Sequence, residues 1–247
     1  MKYLKALWQF RGDYRLGFVA VLKLALLYPA FRMRQFYYYG SPAKKKLAEA
    51  FFRLFPADFY ISIRCLSSLR NKYVSVPVWI VPDHLSSFLE IFWDHSYRLK
   101  QAWAPVAVID AGANLGYATL YFAMHNPVER ILAIEANENL AKKLGVTAAS
   151  ARTMGVDVRV ALGAVLGRSR KVSFSVRENS RDSSLSELIE GKEVSVEGLR
   201  LSEWIERSGF KDGDFRRRNL LKIDVEGAEY EILAEDPQAF SYANYLV

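Results

Sequence analysis

The sequence predicts an α/β protein built on an open parallel sheet, preceded by a basic helical extension. Three observations lead to this prediction. From Val106 onward, short apolar strands alternate with helical segments, which is the pattern of a parallel sheet with crossover helices. The first of these strands ends in a glycine-containing turn, VIDAGANLGYAT at 108–119. The segment before residue 47 differs in composition, because it is strongly basic.

We expect three regions along the chain. Residues 1–56 form the basic helical extension, residues 57–104 form a strand pair and a helix that lead into the core, and residues 105–247 form the core itself. A length of 247 residues suits one large domain with such an extension.

The positive charge of the chain is concentrated in the extension. Residues 1–46 hold ten Lys or Arg and one acid, a net charge of +9, so that the remainder carries −2 of the total of +7. A nucleic-acid enzyme more often spreads basic residues over its catalytic face, and we therefore expect no nucleic-acid partner. Cys65 is the only cysteine, which predicts a reducing compartment such as the cytoplasm. The three histidines lack zinc-hydrolase spacing, so no metal site is predicted.

The extension also contains an apolar segment, GFVAVLKLALLYPAF at 17–31, flanked by Arg15 and Arg32. Its 15 residues are fewer than the about 20 that a membrane span requires. Two interpretations remain open. The segment packs on the domain or on a second copy of it, or it lies in the membrane interface with its flanking cations at the lipid head groups. The second interpretation would place the protein peripherally at the inner face of the membrane.

The elements before the core follow from local signals. Ser41 and Pro42 are suited to begin a helix. Enrichment in β-branched and aromatic residues predicts strands at 59–65 and 73–80, and Ser86 predicts the start of a helix over 86–100.

Within the core, the alternation predicts a parallel sheet and one further strand. The strands predicted from apolar runs are 106–110, 130–135, 157–162 and 219–225. The segment KVSFSV at 171–176 predicts an edge strand, 177–198 a polar loop and 201–209 a helix.

The turn after the first core strand predicts a nucleotide-binding crevice. Gly112 can adopt a positive φ and allow a ligand close to the backbone, and Gly116 opens a helix whose free N–H groups face the crevice. A dinucleotide fold normally has glycine where this chain has Asn114. Asp110 would repel a pyrophosphate but attract the ammonium and sulfonium groups of S-adenosylmethionine. The turn therefore favours S-adenosylmethionine over NAD; the alternative for Asp110 is an acid that only caps the loop.

Two further strand ends extend the predicted cofactor site. Glu135 follows Asp110 by twenty-five residues and can accept hydrogen bonds from both ribose hydroxyls, which NAD and S-adenosylmethionine share. Leu162 and Gly163 end the third strand, where small and apolar groups would flank an adenine ring.

The fourth core strand carries alternating charges. Lys222, Asp224 and Glu226 share one face of the strand and its extension, because side chains alternate along a strand. Charges at the end of a buried parallel strand are costly unless they are used or paired. We expect Lys222 to be salt-bridged and Asp224 to lie where the strand meets the crevice. Glu226 either takes part in the site or caps the next helix.

Three motifs together resemble the FkbM-type S-adenosylmethionine-dependent methyltransferases: VIDAGANLGYAT, IEANENL at 134–140 and LLKIDVEGAEYEIL at 220–233. The resemblance covers roughly residues 70–247 and does not explain the extension. It implies the Rossmann-like sheet of class I methyltransferases. It also implies methylation of hydroxyl oxygens on saccharides, lipid-linked glycans or natural products. The chain departs from the family at Ala136, where Pro is frequent, and at Ser202, where an acid is common.

The resemblance also implies roles for individual residues. Asp224 would face the methyl group and the acceptor and hold or deprotonate the acceptor hydroxyl, with Glu226 as the second candidate. The residues expected to contact S-adenosylmethionine are Asp110, Gly112, Ala113, Asn114, Gly116, Tyr117, Glu135, Ala136, Asn137, Leu162 and Gly163. His84 and His95 precede the core, and we assign them no role because a lone histidine is more often structural.

The residues ANYLV at 243–247 look like the start of a fifth strand. The sequence therefore predicts a sheet that lacks the usual C-terminal β-hairpin and has an exposed edge suited to pairing with another chain. Two functional alternatives remain open. One is a nicotinamide-dependent oxidoreductase, which Asp110 and Asn114 disfavour; the other is an inactive methyltransferase fold that binds a membrane or a partner.

Overall fold

A computed structural model of the chain describes eight ranges of residues. They are 41–44, 46, 59–67, 72–80, 84–100, 104–176, 192–210 and 218–247. The chain divides into two compact units: one contains Met1–Cys65 and Tyr73–Asp94, and the other contains Leu66–Lys72 and His95–Val247. The boundaries that the sequence predicts between its three regions stay predictions.

The predicted extension lies mostly outside the described residues. Residues 42–44 and 46 are helical, as expected for a helix that begins at Pro42. The apolar segment 17–31 is outside the described ranges, so both of its interpretations stay predictions. Among the described residues, no helix combines the length and the apolar character needed to cross a membrane.

Two strands form a small separate sheet. Strand β1 spans Phe59–Ser67 and strand β2 spans Lys72–Ile80, and the two pair with each other. Both contain the strands predicted there. Alternate apolar residues are buried, as expected for strands with one face against a core; these residues are Ile61, Ile63, Cys65, Val76, Val78 and Ile80.

The helix that follows is shorter than predicted. Helix α1 spans Leu85–Phe88 and continues as a π-helical turn over Leu89–Trp93. The Asp94 N–H donates to the Leu89 carbonyl at 3.0 Å, which closes the π-turn. His95 then has a φ of 53°, a left-handed conformation that cannot continue a helix. The prediction of a helix through residue 100 is therefore wrong beyond this point.

The larger unit contains the core elements. In chain order they are β3 (Ala107–Ala111), α2 (Tyr117–His125), β4 (Arg130–Glu135), α3 (Glu138–Arg152), β5 (Asp157–Leu162), β6 (Ala164–Leu166), β7 (Arg170–Val176), β8 (Lys192–Arg200), α4 (Leu201–Arg207), β9 (Asn219–Ile223), α5 (Glu229–Glu235), a 3₁₀-helix (Pro237–Tyr242) and β10 (Tyr245–Leu246).

Five of these strands form the central sheet, in the order β10-β9-β3-β4-β5, and every pair of neighbours is parallel. Numbered within the sheet, this order is 3-2-1-4-5, the arrangement of doubly wound α/β folds. All five residues of β3 are buried, because strands on both sides and helices cover it. The predicted Rossmann-like parallel sheet is confirmed.

Most predicted strand boundaries agree with the structure. The strands at 130–135 and 157–162 are confirmed to the residue. The first and fourth core strands are confirmed as elements, although β3 is shifted by one residue and β9 ends at Ile223 rather than at 225. The two residues of β10 lie within the predicted fifth strand and pair with β9.

A separate three-stranded sheet was not predicted as a unit. Its order is β6-β8-β7; β8 runs parallel to β6 and antiparallel to β7. The predicted edge strand at 171–176 is confirmed, as an edge of this separate sheet. The predicted loop is wrong over 192–198, where β8 pairs along its length with β7. Its alternating polar and apolar residues suit a sheet with one face covered.

Candidate cofactor and active site

The carboxyl ends of β3, β4, β5 and β9 meet at one edge of the central sheet, because these strands are parallel neighbours. In open α/β sheets, ligands bind in the crevice outside this edge. The predicted site residues follow these ends: Asp110 in β3, Glu135 in β4, Leu162 in β5 and Asp224 directly after β9. The structure thus brings residues from four separate sequence segments to one edge.

Gly112 forms the first turn out of β3, and its φ is 75°. A Cβ built at this residue would lie 1.9 Å from the backbone oxygen of Asp224. The Asp224 N–H also donates to the Ala111 carbonyl at 3.1 Å, which holds the end of β9 against the turn. The need for glycine therefore comes first from the adjacent protein backbone, rather than only from a ligand, as the sequence had suggested.

The rest of the turn is also built from left-handed residues. Asn114 has a φ of 52° and Gly116 a φ of 81°. A Cβ at Gly116 would lie 2.5 Å from Leu144 Cδ1, so this glycine lets α2 pack closely on α3. Ala113 and Tyr117 are buried, and the Ala113 N–H donates to the Ile134 carbonyl at 2.9 Å. Contacts of these residues with a cofactor stay predictions.

Glu135 connects two loops at the crevice. Its Oε2 accepts the Asn114 N–H at 2.8 Å, and its Oε1 accepts the Asn137 N–H at 2.8 Å. The residue is 7% exposed, and burial raises the pKa of its carboxyl, although the two N–H donors and the charge of Lys222 oppose this. Each carboxylate oxygen has a second lone pair. Binding of ribose hydroxyls by these lone pairs stays a prediction.

Asn137 caps the next helix. Its Oδ1 accepts the N–H groups of Asn139 at 3.0 Å and Leu140 at 3.4 Å, which satisfies two unpaired donors at the start of α3. Ala136, immediately before it, is partly exposed. Contacts of both residues with the cofactor stay predictions, and the structure shows a helix-capping role for Asn137.

Asp110 is fully buried, with 0% exposure. The Thr119 hydroxyl donates to its Oδ2 at 2.6 Å, and the Lys222 Nζ lies 2.9 Å from its Oδ1. Both carboxylate oxygens therefore have a protein partner on the floor of the crevice. The prediction that Asp110 contacts the methionine part of a cofactor stays untested.

Lys222 is the partner of Asp110, and its predicted salt bridge is confirmed. The side chain is 3% exposed, and its Nζ also donates to the Gly112 carbonyl at 3.1 Å. Burial by itself lowers the pKa of the ammonium group, but the charge of Asp110 and further interactions with Tyr97 and Asp224 outweigh it, and the pKa is raised. Lys222 therefore stays charged beneath the turn.

Asp224 is an exposed carboxylate at the end of β9. Its side chain is 61% exposed, and its Oδ2 lies 3.7 Å from Lys222 Nζ. Glu226 is exposed and has a φ of 49°. The turn after β9 is instead organised by Glu229, which the sequence interpretation missed: its Oε1 accepts the Val225 N–H at 3.0 Å and its Oε2 the Gly227 N–H at 2.8 Å. An acid in the first turn of a helix was the available signal.

The end of β5 combines an exposed apolar side chain with an aromatic neighbour. Leu162 is 51% exposed. A Cβ at Gly163 would lie 2.5 Å from Trp204 Cζ2, and the Trp204 Nε1–H donates to the Ala164 carbonyl at 3.0 Å. The sequence interpretation missed Trp204, because α4 is distant in sequence from β5. Leu162 and the indole present apolar surface at the strand end where adenine is predicted.

Tyr97 is a second aromatic residue that the sequence interpretation missed. Lys222 Nζ lies 5.9 Å from the centroid of its ring, within cation–π range, and its ring packs on Phe122 at 5.6 Å. His95, two residues earlier, contacts the Tyr121 hydroxyl through Nδ1 at 3.0 Å. His84 is 4% exposed in the other unit. No role had been assigned to either histidine.

The side chains at this edge fit S-adenosylmethionine. The buried carboxylate of Glu135 keeps free lone pairs for ribose hydroxyls, Leu162 offers exposed apolar surface, and Asp224 offers an exposed negative charge for a cation. Because a sulfonium is positively charged and adenine is apolar on its faces, this set of groups suits the cofactor chemically. The sheet order and the glycine turn define a Rossmann-like α/β protein of the class I methyltransferase type.

Comparison with known proteins identifies the family. The family model of the methyltransferase FkbM domain matches residues 110–242, which is more than half of the chain. The chain therefore belongs to the FkbM methyltransferase domain family. The matched range begins at Asp110 and contains the predicted cofactor and catalytic residues.

Two curated relatives are methyltransferases by name. Methyltransferase sdnD of Sordaria araneosa is 29% identical over 171 residues, which are 59% of this chain and 66% of that protein. Methyltransferase 1 of Beauveria bassiana (strain ARSEF 2860) is 31% identical over 164 residues, which are 58% of this chain and 64% of that protein. The chain thus matches just under two thirds of the length of each relative.

A solved structure is also similar. The crystal structure of methyltransferase FkbM from Methylobacillus flagellatus KT aligns with a TM-score of 0.40 and 13% sequence identity. The alignment covers 66% of this chain and 42% of that chain.

Proposed function

We propose that the chain is an S-adenosylmethionine-dependent O-methyltransferase. The observation that supports this most directly is the placement of Asp224. Its exposed carboxylate follows β9 at the carboxyl edge of the sheet, and its backbone N–H donates a hydrogen bond to the Ala111 carbonyl beside the glycine turn. Membership of the FkbM methyltransferase domain family supports methyl transfer as the reaction.

The cofactor would lie across the carboxyl ends of β3, β4 and β5. Glu135 would accept hydrogen bonds from the ribose hydroxyls, and Leu162 with Gly163 would flank the adenine. The turn from Gly112 to Gly116 would contact the methionine part. When bound, S-adenosylmethionine supplies a methyl group that its sulfonium has already activated.

The protein then has two tasks at the acceptor. It must align the acceptor oxygen for attack, and it must take up the proton that the hydroxyl releases. Asp224 holds the acceptor hydroxyl by accepting its hydrogen bond and takes the proton, while Glu226 is the second candidate for this proton. The acceptor is a hydroxyl on a saccharide, a lipid-linked glycan or a natural product.

A methyl-transfer screen with radiolabelled cofactor tests this function. The wild-type chain should transfer label to at least one hydroxyl compound from these three acceptor classes. Asp224→Asn should lower kcat by about 10²–10⁴-fold, the usual contribution of a positioned acid or base, and should spare binding of S-adenosylhomocysteine.

A matched control is Asp157→Asn. Asp157 is also exposed, at 54%, and begins β5, which places it at the opposite edge of the sheet. This variant should keep wild-type turnover. Equal kcat values for Asp224→Asn and wild type would contradict the role of Asp224.

A further inference from the structure

Lys222 and Asp110 occupy directly opposite positions on neighbouring strands. The register of the central sheet pairs Asp110 of β3 with Lys222 of β9. Side chains at paired positions of parallel strands point to the same face of the sheet, and Asp224 follows two residues later on that face. Asp110, Lys222 and Asp224 therefore lie next to one another on one face of the sheet, at the carboxyl ends of β3 and β9.

The Lys222 ammonium has three N–H donors and lies among two backbone carbonyls and two carboxylates. It donates to the Gly112 carbonyl at 3.1 Å and to the Ala111 carbonyl at 3.5 Å, and Asp110 Oδ1 lies 2.9 Å from the nitrogen. These partners belong to the buried floor and the glycine turn. Asp224 Oδ2, at the mouth, lies 3.7 Å from the same nitrogen, which is an ion-pair distance and longer than a hydrogen bond.

A buried ion pair at these two positions is costly to keep. Lysine is almost never fully buried unless it is paired, and an apolar pair of similar volume on these two strands would fill the same space without desolvating two ions. The Tyr97 ring lies with its centroid 5.9 Å from the nitrogen, and the Lys222 side chain is 3% exposed, so its electrostatic contacts are less screened than those of a surface group.

We propose that Lys222 is a positioning residue that fixes the Asp224 carboxylate relative to the cofactor-binding turn. One cation contacts both the turn that would hold the cofactor and the carboxylate that would face the methyl group. A shift of the turn would therefore be transmitted to Asp224. This inference rests on the proposed methyltransferase function and adds to it a residue that touches neither substrate nor cofactor.

The test is a paired variant, Asp110→Asn together with Lys222→Met. It removes one negative and one positive charge, so the summed formal charge of the three residues stays at −1. S-adenosylmethionine and S-adenosylhomocysteine both carry the ammonium group that Asp110 is expected to attract, so the ratio of their affinities, and not either affinity alone, reports where Asp224 lies. A control is Lys142→Met, which removes an exposed lysine that pairs with Glu138 on α3.

The measured quantity is the dissociation constant of S-adenosylhomocysteine divided by that of S-adenosylmethionine. The two ligands differ by a methyl group and one positive charge, so this ratio reports the negative potential at the sulfur. We expect the ratio to fall at least about fivefold in Asp224→Asn and in the paired variant, which corresponds to roughly 1 kcal/mol. In Asp224→Asn, affinity for S-adenosylhomocysteine should stay within about threefold of wild type. Lys142→Met should keep the wild-type ratio.

A paired variant whose ratio equals or exceeds that of the wild type would overturn the inference, as would an unchanged ratio in Asp224→Asn. Should the paired variant fail to fold, the ¹⁵Nζ resonance of Lys222 in Asp224→Asn provides a second measurement, because this exposed substitution leaves the buried pair intact. The resonance should shift, and an unchanged resonance would refute the contact. If the wild-type chain binds neither ligand, the proposed function fails, and not the positioning role alone.

Discussion

Replacing Gly112 by alanine should disrupt the turn on which the proposed site depends. The added Cβ would lie 1.9 Å from the Asp224 backbone oxygen, and the residue has a φ of 75°. A left-handed conformation costs an L-residue about 1–2 kcal/mol. Overpacking against a backbone atom that cannot rotate away costs about 1–3 kcal/mol more. We therefore expect Gly112→Ala to lower the free energy of unfolding by about 2–5 kcal/mol.

Gly145→Ala is the matched control for this substitution. Gly145 lies inside α3, and a Cβ there would meet nothing within 4 Å. Alanine is favoured over glycine in a helix interior, so this variant should be as stable as the wild type or more stable by up to about 1 kcal/mol. The two variants thus make the same chemical change, but their expected effects on the free energy of unfolding have opposite signs.

Urea unfolding monitored by circular dichroism measures both effects. Gly112→Ala should lower the midpoint at an unchanged m-value, and Gly145→Ala should keep or raise it. A Gly112→Ala protein within about 0.5 kcal/mol of wild type would show that the β9 backbone does not approach the turn as closely as described.

Three further predictions concern ionisable groups. Lys222→Met alone leaves the Asp110 charge unpaired and should cost about 3–5 kcal/mol in urea unfolding, most of which Asp110→Asn should recover; equal stability of the single and paired variants would contradict this. Desolvation by its neighbours, with the charges of His95 and Arg98, lowers the pKa of the surface residue His125 from 6.5 to about 4. The unfolded chain therefore binds more protons between these values, and the melting temperature should fall slightly as pH drops from about 6.5 towards 4, because solvent screens an exposed group. The fall should be shallower in His125→Gln, and parallel curves would exclude this residue as a cause. Burial raises the pKa of Cys65 to about 11, so alkylation at pH 8 should be slow in the native protein and fast in urea; rapid native alkylation would disprove the burial.

The central sheet was predictable because its strands are short apolar runs between helices. Both ends of β4 and β5 follow from such runs. The second sheet was not predictable in the same way. Its strand β8 is polar on alternate residues, and its partner β7 is separated from it in sequence by residues 177–191. The early end of α1 depends on the left-handed conformation of His95, which side-chain periodicity does not report.

The site was predictable as a set of strand ends but not as a network. The acids Asp110, Glu135 and Asp224 each follow from their place at the end of an apolar run. Their partners depend on contacts between distant segments, such as the ion pair that joins Asp110 to Lys222. Periodicity placed Lys222 on the correct face, whereas the register that sets it opposite Asp110 is a property of the folded sheet.

Titration calorimetry with S-adenosylhomocysteine and NAD, each added separately to the wild-type chain, distinguishes the two candidate cofactors. We expect saturable binding of S-adenosylhomocysteine with one site per chain and no heat from NAD, because Asp224 suits a cationic cofactor and Asn114 replaces the glycine that a pyrophosphate requires. Saturable binding of NAD without binding of S-adenosylhomocysteine would show that the crevice is not a methyltransferase cofactor site.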